Sequence, residues 1–346
     1  MEFARERFGA ETEVIPLAGD ASTRAYYRVV PADGESHVVA AYSAAFDPAG
    51  FPFLEATELF KISGIPVPDV LATDGSRGLI LLKDLGDRSL QDAVLGAAAA
   101  KEDVPEALYT QAVELIARLQ GDGTPLVSDS IHAGREALDA ERFRFELSYF
   151  YDNLVLGLRQ RTPGVERRRE VNEALDSLCT DLDGEPRVLC HRDFHSRNLM
   201  VGSEGVMSCV DHQDARLGPD TYDLVSLLRD PYVELPEDRV AKMIDHYRAA
   251  AGTTETLLHF RQRFDRMAVQ RTLKAAGTYA GQMVLHQRDS YLRYLPRALE
   301  LARRSLERCP DLEKLHRSLG ELVPELGPQP DRAIRKPGTS NSGTEQ

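Results

Sequence analysis

The sequence predicts an α+β protein with two lobes: a small antiparallel sheet with one helix, followed by a mainly helical region. Up to residue 83, short apolar runs alternate with Gly, Pro and Asp, which is typical of strands joined by turns. Beyond residue 87, apolar residues recur every three or four positions, as on one face of a helix. A chain of 346 residues, 42% of them hydrophobic, is long enough to bury a core in both lobes.

The strands of the first lobe are predicted at residues 14–18, 26–30, 37–42, 70–73 and 79–82. A single helix is predicted between the third and fourth strands, at 53–63. It ends there because Gly64 terminates helices readily, and Pro66 and Pro68 cannot continue one.

The second lobe is predicted to be a set of amphipathic helices whose apolar stripes form the core. They cover residues 108–119, 143–158, 165–182, 224–229, 240–250, 257–276 and 292–306. The resulting boundaries are 1–84 for the N-terminal lobe and 85–330 for the C-terminal lobe. Residues 331–346 are rich in Pro, Gly, Ser and Thr without apolar periodicity, which predicts a disordered tail.

Composition excludes several classes of partner. The net charge of −13 argues against nucleic acid and anionic membranes, since their phosphates would be repelled. No apolar run approaches the length of a membrane span, and the amino terminus lacks a signal-peptide pattern. The protein is therefore expected to be cytoplasmic. No obligate protein partner is indicated. The four cysteines lack metal-site spacing and are expected to be reduced and structural.

Residues 191–198 read His-Arg-Asp-Phe-His-Ser-Arg-Asn, a pattern that resembles the catalytic loop of protein kinases. In such a loop the aspartate, here Asp193, receives the proton of the attacking hydroxyl. The asparagine, here Asn198, holds a magnesium ion. We interpret His191 and Arg192 as residues that support the loop.

A second magnesium ligand is predicted at Asp211. Two apolar runs, 199–201 and 206–210, flank a turn with two glycines and so predict a β-hairpin. The hairpin would bring Asn198 and Asp211 together at its open end. Taken alone, an aspartate after a strand is more often a helix cap or a turn residue, but its position after the 191–198 loop favours the ligand.

Four segments together resemble the aminoglycoside phosphotransferase superfamily: residues 19–29, 82–87, 191–201 and 211–230. Within it they most resemble the bacterial kinases that phosphorylate N-acetylmuramate and N-acetylglucosamine at the anomeric hydroxyl for cell-wall recycling. The resemblance implies a protein-kinase-like bilobal fold that binds ATP and Mg²⁺ between its lobes.

The resemblance also places the adenine against a hinge near residues 82–85. Lys83 and Leu85 are expected to contact the nucleotide there through their backbone, since a hinge presents N–H and C=O groups to the adenine edge. In the superfamily, the counterpart of Asp223 braces the catalytic loop.

The residues that would bind the phosphates differ from those of protein kinases, because the chain has no GxGxxG loop and its third strand has no lysine. Ser22, Arg24 and Arg28 are the candidates to replace them. Residues 24 and 28 fall on one face of a strand, so both guanidinium groups are expected to point toward the triphosphate. The alternative for each arginine is a surface ion pair.

The acceptor is expected to contact Gln213 and Asp214, which follow the magnesium ligand, together with Arg197 and Arg229. For Arg229 and its neighbour Asp230, an ordinary surface role is the alternative. The predicted activity is that of an ATP-dependent kinase that phosphorylates a small hydroxyl compound, an amino sugar at its anomeric position. An aminoglycoside or amino-alcohol kinase and a regulatory pseudokinase are the alternatives.

Overall fold

The computed structural model of the chain describes residues 2–17 and 24–328. The N-terminal lobe is a five-stranded antiparallel sheet in the order β1-β2-β3-β5-β4. The sheet follows a short helix, α1 (Glu2–Phe8), that the sequence analysis did not predict. Each predicted strand is present, with ends within one residue of those expected: β1 (Glu13–Leu17), β2 (Ala25–Val30), β3 (His37–Ala41), β4 (Val70–Asp74) and β5 (Leu79–Lys83).

Helix α2 (Pro52–Ile62), also predicted, packs against both lobes. Its first turn contributes Phe53 to the apolar cluster beneath the sheet, with Ile80 and Leu82. Its last turns contribute Leu59 and Phe60 to the core of the helical lobe. The helix therefore fills the space between the sheet and the C-terminal helices.

Hydrogen bonds join the region of α2 to the C-terminal lobe. Thr57 Oγ1 lies 2.8 Å from His212 Nε2, and the backbone N–H of His132 donates to Glu55 Oε2 at 2.9 Å. Just after the helix, Pro66 O accepts from the N–H of Cys209 at 2.8 Å.

The C-terminal lobe contains the predicted helices and three further ones, α3, α5 and α12. Its helices are α3 (Leu90–Ala100), α4 (Glu106–Arg118), α5 (His132–Arg135), α6 (Ala140–Phe150), α7 (Val165–Asp183), α8 (Tyr222–Leu228), α9 (Glu237–Ala250), α10 (Leu257–His286), α11 (Leu295–Glu307) and α12 (Glu313–Leu322). In the described part of the chain, every helix is too short or too polar to cross a membrane.

Helix α10 continues to His286, well past the predicted end at residue 276. Gly277 and Gly281 lie just past the predicted end, inside the helix, and mark a close crossing with α6. A Cβ on Gly277 would lie 2.5 Å from the Cα of Phe150, and one on Gly281 would lie 2.5 Å from the hydroxyl of Tyr149. Glycine is therefore required by packing at this crossing, inside the helix.

Two short antiparallel ladders hold the loop at 191–198. Strand β6 (Arg187–Cys190) pairs with β9 (Arg216–Pro219), and the hairpin β7 (Leu199–Val201) with β8 (Met207–Cys209) follows the loop. The hairpin predicted after Asn198 is confirmed. All four cysteines are buried and unpaired, as expected.

Candidate functional site

A cleft of ≈ 390 Å³ lies between the sheet and the helical lobe. Leu17, Val38 and Leu82 line it from the sheet, and Met200 and Val210 line it from the β7–β8 hairpin. Volume and lining are those of a small-molecule site, because such pockets typically span roughly 300–1,000 Å³ with mainly apolar walls.

Asn198 and Asp211 also line this cleft. The hairpin brings them together, since the N–H of Val210 donates to Asn198 O at 2.9 Å. The side-chain amide of Asn198 donates to Asp193 O at 2.9 Å, so its oxygen is the atom that a cation would meet. Asp211 has φ = 63°, a left-handed conformation that is uncommon outside glycine and clusters at functional sites.

These two side chains fit a magnesium ion that is shared with a nucleotide. Carboxylate and amide oxygens are hard ligands that suit Mg²⁺, which is usually held by one or two carboxylates together with phosphate oxygens and water. Among the described residues, no group of three or more His, Cys, Asp and Glu side chains is placed to hold a metal. The pair is therefore suited to an ion that arrives with phosphates.

Asp193 faces a second cavity of ≈ 120 Å³. Burial alone would raise the pKa of Asp193, but the positive charges of Lys274, Arg192 and Arg271 outweigh it and hold the pKa well below its usual range. Asp193 is therefore an ionised carboxylate at neutral pH, able to accept a hydrogen bond or a proton.

The loop that carries Asp193 is held by two buried carboxylates. Asp223 accepts the backbone N–H groups of His191 and Arg192 at 2.6 and 3.0 Å. Asp230 accepts both the N–H and the hydroxyl of Ser196, at 2.9 and 2.6 Å. Each carboxylate fixes one end of the loop, so Asp193 lies between two segments that are held by hydrogen bonds.

The imidazole of His191 is fully buried within the loop. Its Nδ1 accepts the N–H of Asp193 at 3.3 Å, so Nε2 carries the proton and donates to Val210 O at 3.0 Å. Burial lowers the pKa of His191 to about 4, which keeps it neutral. The ring thus joins the loop to the end of the β7–β8 hairpin.

Arg24 reaches the carboxylate of Asp211, with Nη2 at 3.1 Å from Oδ1. Its guanidinium also lies 6.0 Å from the ring centre of Tyr42, which follows β3. A cation from the start of β2 is therefore present next to the predicted magnesium ligand. Ser22, the neighbouring candidate, lies outside the described residues.

Arg28 points to a different end of the cleft. Its guanidinium binds Asp84 through two hydrogen bonds, of 2.6 and 3.2 Å, and lies 2.7 Å from Asp87. Asp84 also accepts from Ser36 at 2.8 Å and from the N–H of Gly86 at 2.9 Å. The two arginines therefore do not converge: Arg24 reaches the Asp211 end and Arg28 fixes the segment after β5.

Lys83 and Leu85 both line the cleft at this segment, which we call the hinge (residues 83–86). The N–H of Lys83 donates to Asp69 O at 2.9 Å, and its side chain is exposed. The donor of Lys83 is thus already used, and Leu85 is left as the better placed of the two for a backbone contact to a ligand.

The APH family, described as a phosphotransferase enzyme family, matches residues 13–260 of this chain. This range contains the cleft, the hinge and the loop. The chain belongs to the APH phosphotransferase family. The family predicted from the sequence is confirmed, and the chain is a small-molecule phosphotransferase.

Two bacterial relatives extend the match over most of the chain. The N-acetylmuramate/N-acetylglucosamine kinase of Neisseria meningitidis serogroup B is 33% identical over 315 residues, which cover 88% of this chain and 89% of the relative. The kinase of the same name from Pseudomonas aeruginosa is 32% identical over 323 residues, covering 91% and 88%.

Solved structures confirm the predicted kinase-like fold. Spectinomycin phosphotransferase APH(9)-Ia, in complex with ADP and spectinomycin, superposes with a TM-score of 0.57 at 13% identity, covering 91% of this chain and 97% of the other. Choline kinase LicA from Streptococcus pneumoniae gives 0.57 at 13% identity, covering 89% and 97%.

Of the predicted acceptor residues of this APH phosphotransferase, Arg229 lines the cavity that Asp193 faces, and the other three do not. Gln213 donates to the carboxylates of Asp211 and Asp214 at 3.0 and 3.2 Å. Gln213 and Asp214 line a separate cavity, which includes Arg24. Both lie beside Asn198 and Asp211, the predicted magnesium ligands, rather than in the cavity that Asp193 faces.

Arg197 and Arg229 also have structural partners. The guanidinium of Arg197 lies 4.8 Å from the ring centre of Tyr232. Arg229 donates to both carboxylate oxygens of Glu237, at 2.9 and 3.1 Å. The surface role considered for Arg229 and Asp230 is wrong, because these residues are only 5% and 3% exposed. Their charges are buried because Glu237 pairs with Arg229, and backbone and hydroxyl donors satisfy Asp230.

The sequence analysis missed Arg271 and Lys274, which line the cavity beside Asp193. They lie on α10, where only core packing was predicted. The available signal was that they flank Thr272 and Leu273, which are buried, and that small residues follow them. Charges at a spacing of three within a buried segment indicate a polar pocket rather than a solvated face.

Proposed function

We propose that this enzyme transfers the γ-phosphate of ATP to the anomeric hydroxyl of N-acetylmuramate and N-acetylglucosamine. The observation that carries the proposal is the identity of about one third, over roughly nine tenths of the chain, to bacterial kinases of that name. A kinase that consumes ATP works where ATP is made, so we propose a cytoplasmic location.

The cleft between the lobes is the proposed nucleotide site. The adenine would lie between Val38 on the sheet and Met200 on the hairpin, with its edge toward the backbone of Leu85. Asn198 and Asp211 would hold Mg²⁺. Held there, the ion would supply positive charge against the phosphates of the nucleotide.

Arg24 is the proposed substitute for the lysine that β3 lacks. Its guanidinium already lies beside Asp211, so phosphates bound to an ion at Asp211 would fall within its reach. Burial works against a charged Arg24, yet the neighbouring Tyr26 and Asp211 raise its pKa and the side chain stays protonated. Arg24 would therefore supply the positive charge that phosphoryl transfer needs.

Asp193 would orient the anomeric hydroxyl and receive its proton. The hydroxyl oxygen forms the new bond to the γ-phosphorus, the bond to the β-phosphate oxygen breaks, and ADP leaves. An anomeric hydroxyl is more acidic than an ordinary alcohol, so a weakly basic carboxylate such as Asp193 is adequate. Catalysis is then mainly positional and electrostatic.

The charges around Asp193 argue against a cationic acceptor. Arg229, Arg271 and Lys274 line the same cavity, so an aminoglycoside or an amino alcohol would meet three positive charges there. The intact set of Asp193, Asn198 and Asp211 argues against a pseudokinase.

The test is a phosphorylation assay with ATP, Mg²⁺ and a panel of N-acetylhexosamines, aminoglycosides and choline-like alcohols. We expect sugar 1-phosphates from N-acetylmuramate and N-acetylglucosamine. Asp193→Asn should lower kcat by about 10²–10⁴-fold, the usual contribution of a positioned acid or base. The exposed Asp245 on α9 provides the control Asp245→Asn. Turnover of another acceptor alone, or unchanged turnover in Asp193→Asn, would overturn the proposal.

A further inference from the structure

Three cationic side chains line the cavity beside Asp193. Arg229 is paired with Glu237, whereas Arg271 and Lys274 help to keep Asp193 ionised and retain donors that this role does not use. Arg271 and Lys274 lie three residues apart on α10, so they are neighbours on one face of the helix, and both line the cavity. The side chain of Lys274 is 18% exposed. Because this residue lines the cavity, a ligand there can reach its ammonium group.

Arg271 has no carboxylate within salt-bridge distance among the described residues. Its Nη1 donates to the hydroxyl of Tyr222 at 2.7 Å, a neutral partner, and its buried Nε has no hydrogen-bond partner. Against the effect of burial, the charges of Asp193, Glu146 and Asp223 raise the pKa of Arg271, but none of these carboxylates pairs directly with its guanidinium. A guanidinium with unused donors can bind an anion that enters the cavity.

Lys274 has one counter-ion, Glu146 Oε1, at 3.2 Å. The same oxygen lies 3.7 Å from Arg192 and forms no hydrogen bond. Glu146 is therefore shared between cations and does not saturate Lys274. An ammonium group has three donors, so Lys274 can bind a further acceptor from the cavity.

The size of the cavity indicates which part of a substrate enters it. At ≈ 120 Å³ it is smaller than a typical pocket for a whole ligand. It can take one substituent, while the sugar ring lies at its mouth near Asp193.

N-acetylmuramate differs from N-acetylglucosamine by a lactyl ether on O3, which ends in a carboxylate. We propose that Arg271 and Lys274 form the subsite that binds this carboxylate and makes N-acetylmuramate the preferred acceptor. This proposal rests on the proposed function. Arginine binds a carboxylate through paired donors and lysine adds a point charge, so the two together favour the acidic sugar over the neutral one.

The first test compares kcat/KM for the two sugars in wild type, Lys274→Met and Arg271→Gln. We expect each substitution to lower kcat/KM for N-acetylmuramate by roughly 10- to 100-fold, the effect of losing a hydrogen bond to a charged group. The value for N-acetylglucosamine should fall less, because this sugar has no carboxylate to lose a partner. The ratio of the two kcat/KM values, N-acetylmuramate over N-acetylglucosamine, should therefore drop by roughly tenfold. Lys242→Met is the matched control, because Lys242 lies on α9, is 57% exposed and pairs with Glu106.

The second test compares two substrates, and its wild-type measurement needs no substitution, so it stands even where a variant folds poorly. The methyl ester of N-acetylmuramate keeps the lactyl ether but loses its charge. Wild type should use the ester roughly 10- to 100-fold less well than the acid, whereas Lys274→Met should show less preference between them.

An equal fall for both sugars would mean that the two cations serve Asp193 or the phosphates, and would overturn the subsite while leaving the proposed function intact. Equal use of acid and ester by wild type would also overturn it. If wild type phosphorylates neither sugar, the proposed function fails first, and the subsite fails with it.

Discussion

The guanidinium of Arg24 lies 3.1 Å from the carboxylate of Asp211, although 187 residues separate them in the chain. This contact joins the start of β2 to the end of the β7–β8 hairpin. It places a cation at the end of the cleft where the phosphates are expected, in a fold whose third strand carries no lysine. Arg28, four residues later, fixes the hinge instead.

The two arginines should therefore have different effects on nucleotide binding. Arg24→Gln is expected to weaken the binding of MgATP by about 10–100-fold and to leave adenosine affinity nearly unchanged, because only the phosphates lose a partner. Arg28→Gln should weaken adenosine and MgATP by similar factors, since it loosens the hinge. Calorimetric titration of each variant with both ligands measures this, and parallel losses in Arg24→Gln would contradict it.

The magnesium pair predicts a specific change in metal dependence. Asp211→Asn removes the only carboxylate of the pair, so the Mg²⁺ concentration for half-maximal activity should rise by at least about tenfold. Asn198→Ala should act in the same direction but less strongly, because it removes a neutral ligand. Activity measured against Mg²⁺ at saturating ATP gives both values, with Asp245→Asn as the control. An unchanged Mg²⁺ requirement in both variants would exclude this site.

The buried carboxylate of Asp223 should matter for stability and for turnover. Asp223→Asn keeps the shape of the side chain but replaces an acceptor of the two backbone N–H groups by an amide, whose nitrogen cannot accept. We expect the free energy of unfolding to fall by about 1–3 kcal/mol and kcat to fall with little change in the KM for ATP. Denaturant unfolding and steady-state kinetics test this, and an unchanged kcat would show that Asp223 does not position Asp193.

His212 should make the protein less stable in acid. The residue is fully buried, and its Nε2 donates to Thr57. A second proton would sit on Nδ1, which has no partner to accept a hydrogen bond from it. Burial lowers the pKa of His212 to about 3, against 6.5 when unfolded. A lowered pKa means that the unfolded state binds the proton more tightly, so stability is present above pH 6.5 and is lost as pH falls toward 3.

The size of this effect is on the order of 2–4 kcal/mol between these two pH values. His212→Gln, which retains a donor for Thr57, should flatten the dependence of unfolding free energy on pH in this window. His286→Gln, at an exposed position, should leave it unchanged. Identical slopes for wild type and His212→Gln would show that other groups determine acid stability.

Local patterns predicted the sheet, the hairpin and the convergence of Asn198 with Asp211, because strand alternation and turn residues are short-range signals. Ser89 and Asp92 form the capping box that begins α3, and this pattern would have predicted the start of that helix. The partner of Arg28 could not be predicted in this way. Strand alternation gives the face of the sheet but not which end of the cleft a long side chain reaches.

The acceptor cavity was the least predictable part of the site. Arg271 and Lys274 lie on α10, whereas Asp193 lies in the loop after β6, and the three side chains line one cavity only in the folded protein. A pocket formed by residues about eighty positions apart leaves no pattern in either segment alone.

The bonds from Thr57, Glu55 and Pro66 to the C-terminal lobe have a mechanical consequence. In terms of rigid bodies, α2 belongs with the helices below it, although it lies within the N-terminal part of the chain. Opening of the cleft must therefore slide the five-stranded sheet over a stationary α2, or break those three bonds together. An outward movement of α2 is therefore disfavoured as a way to control activity. The movement that exchanges the nucleotide would be that of the sheet and of the hinge that Arg28 holds.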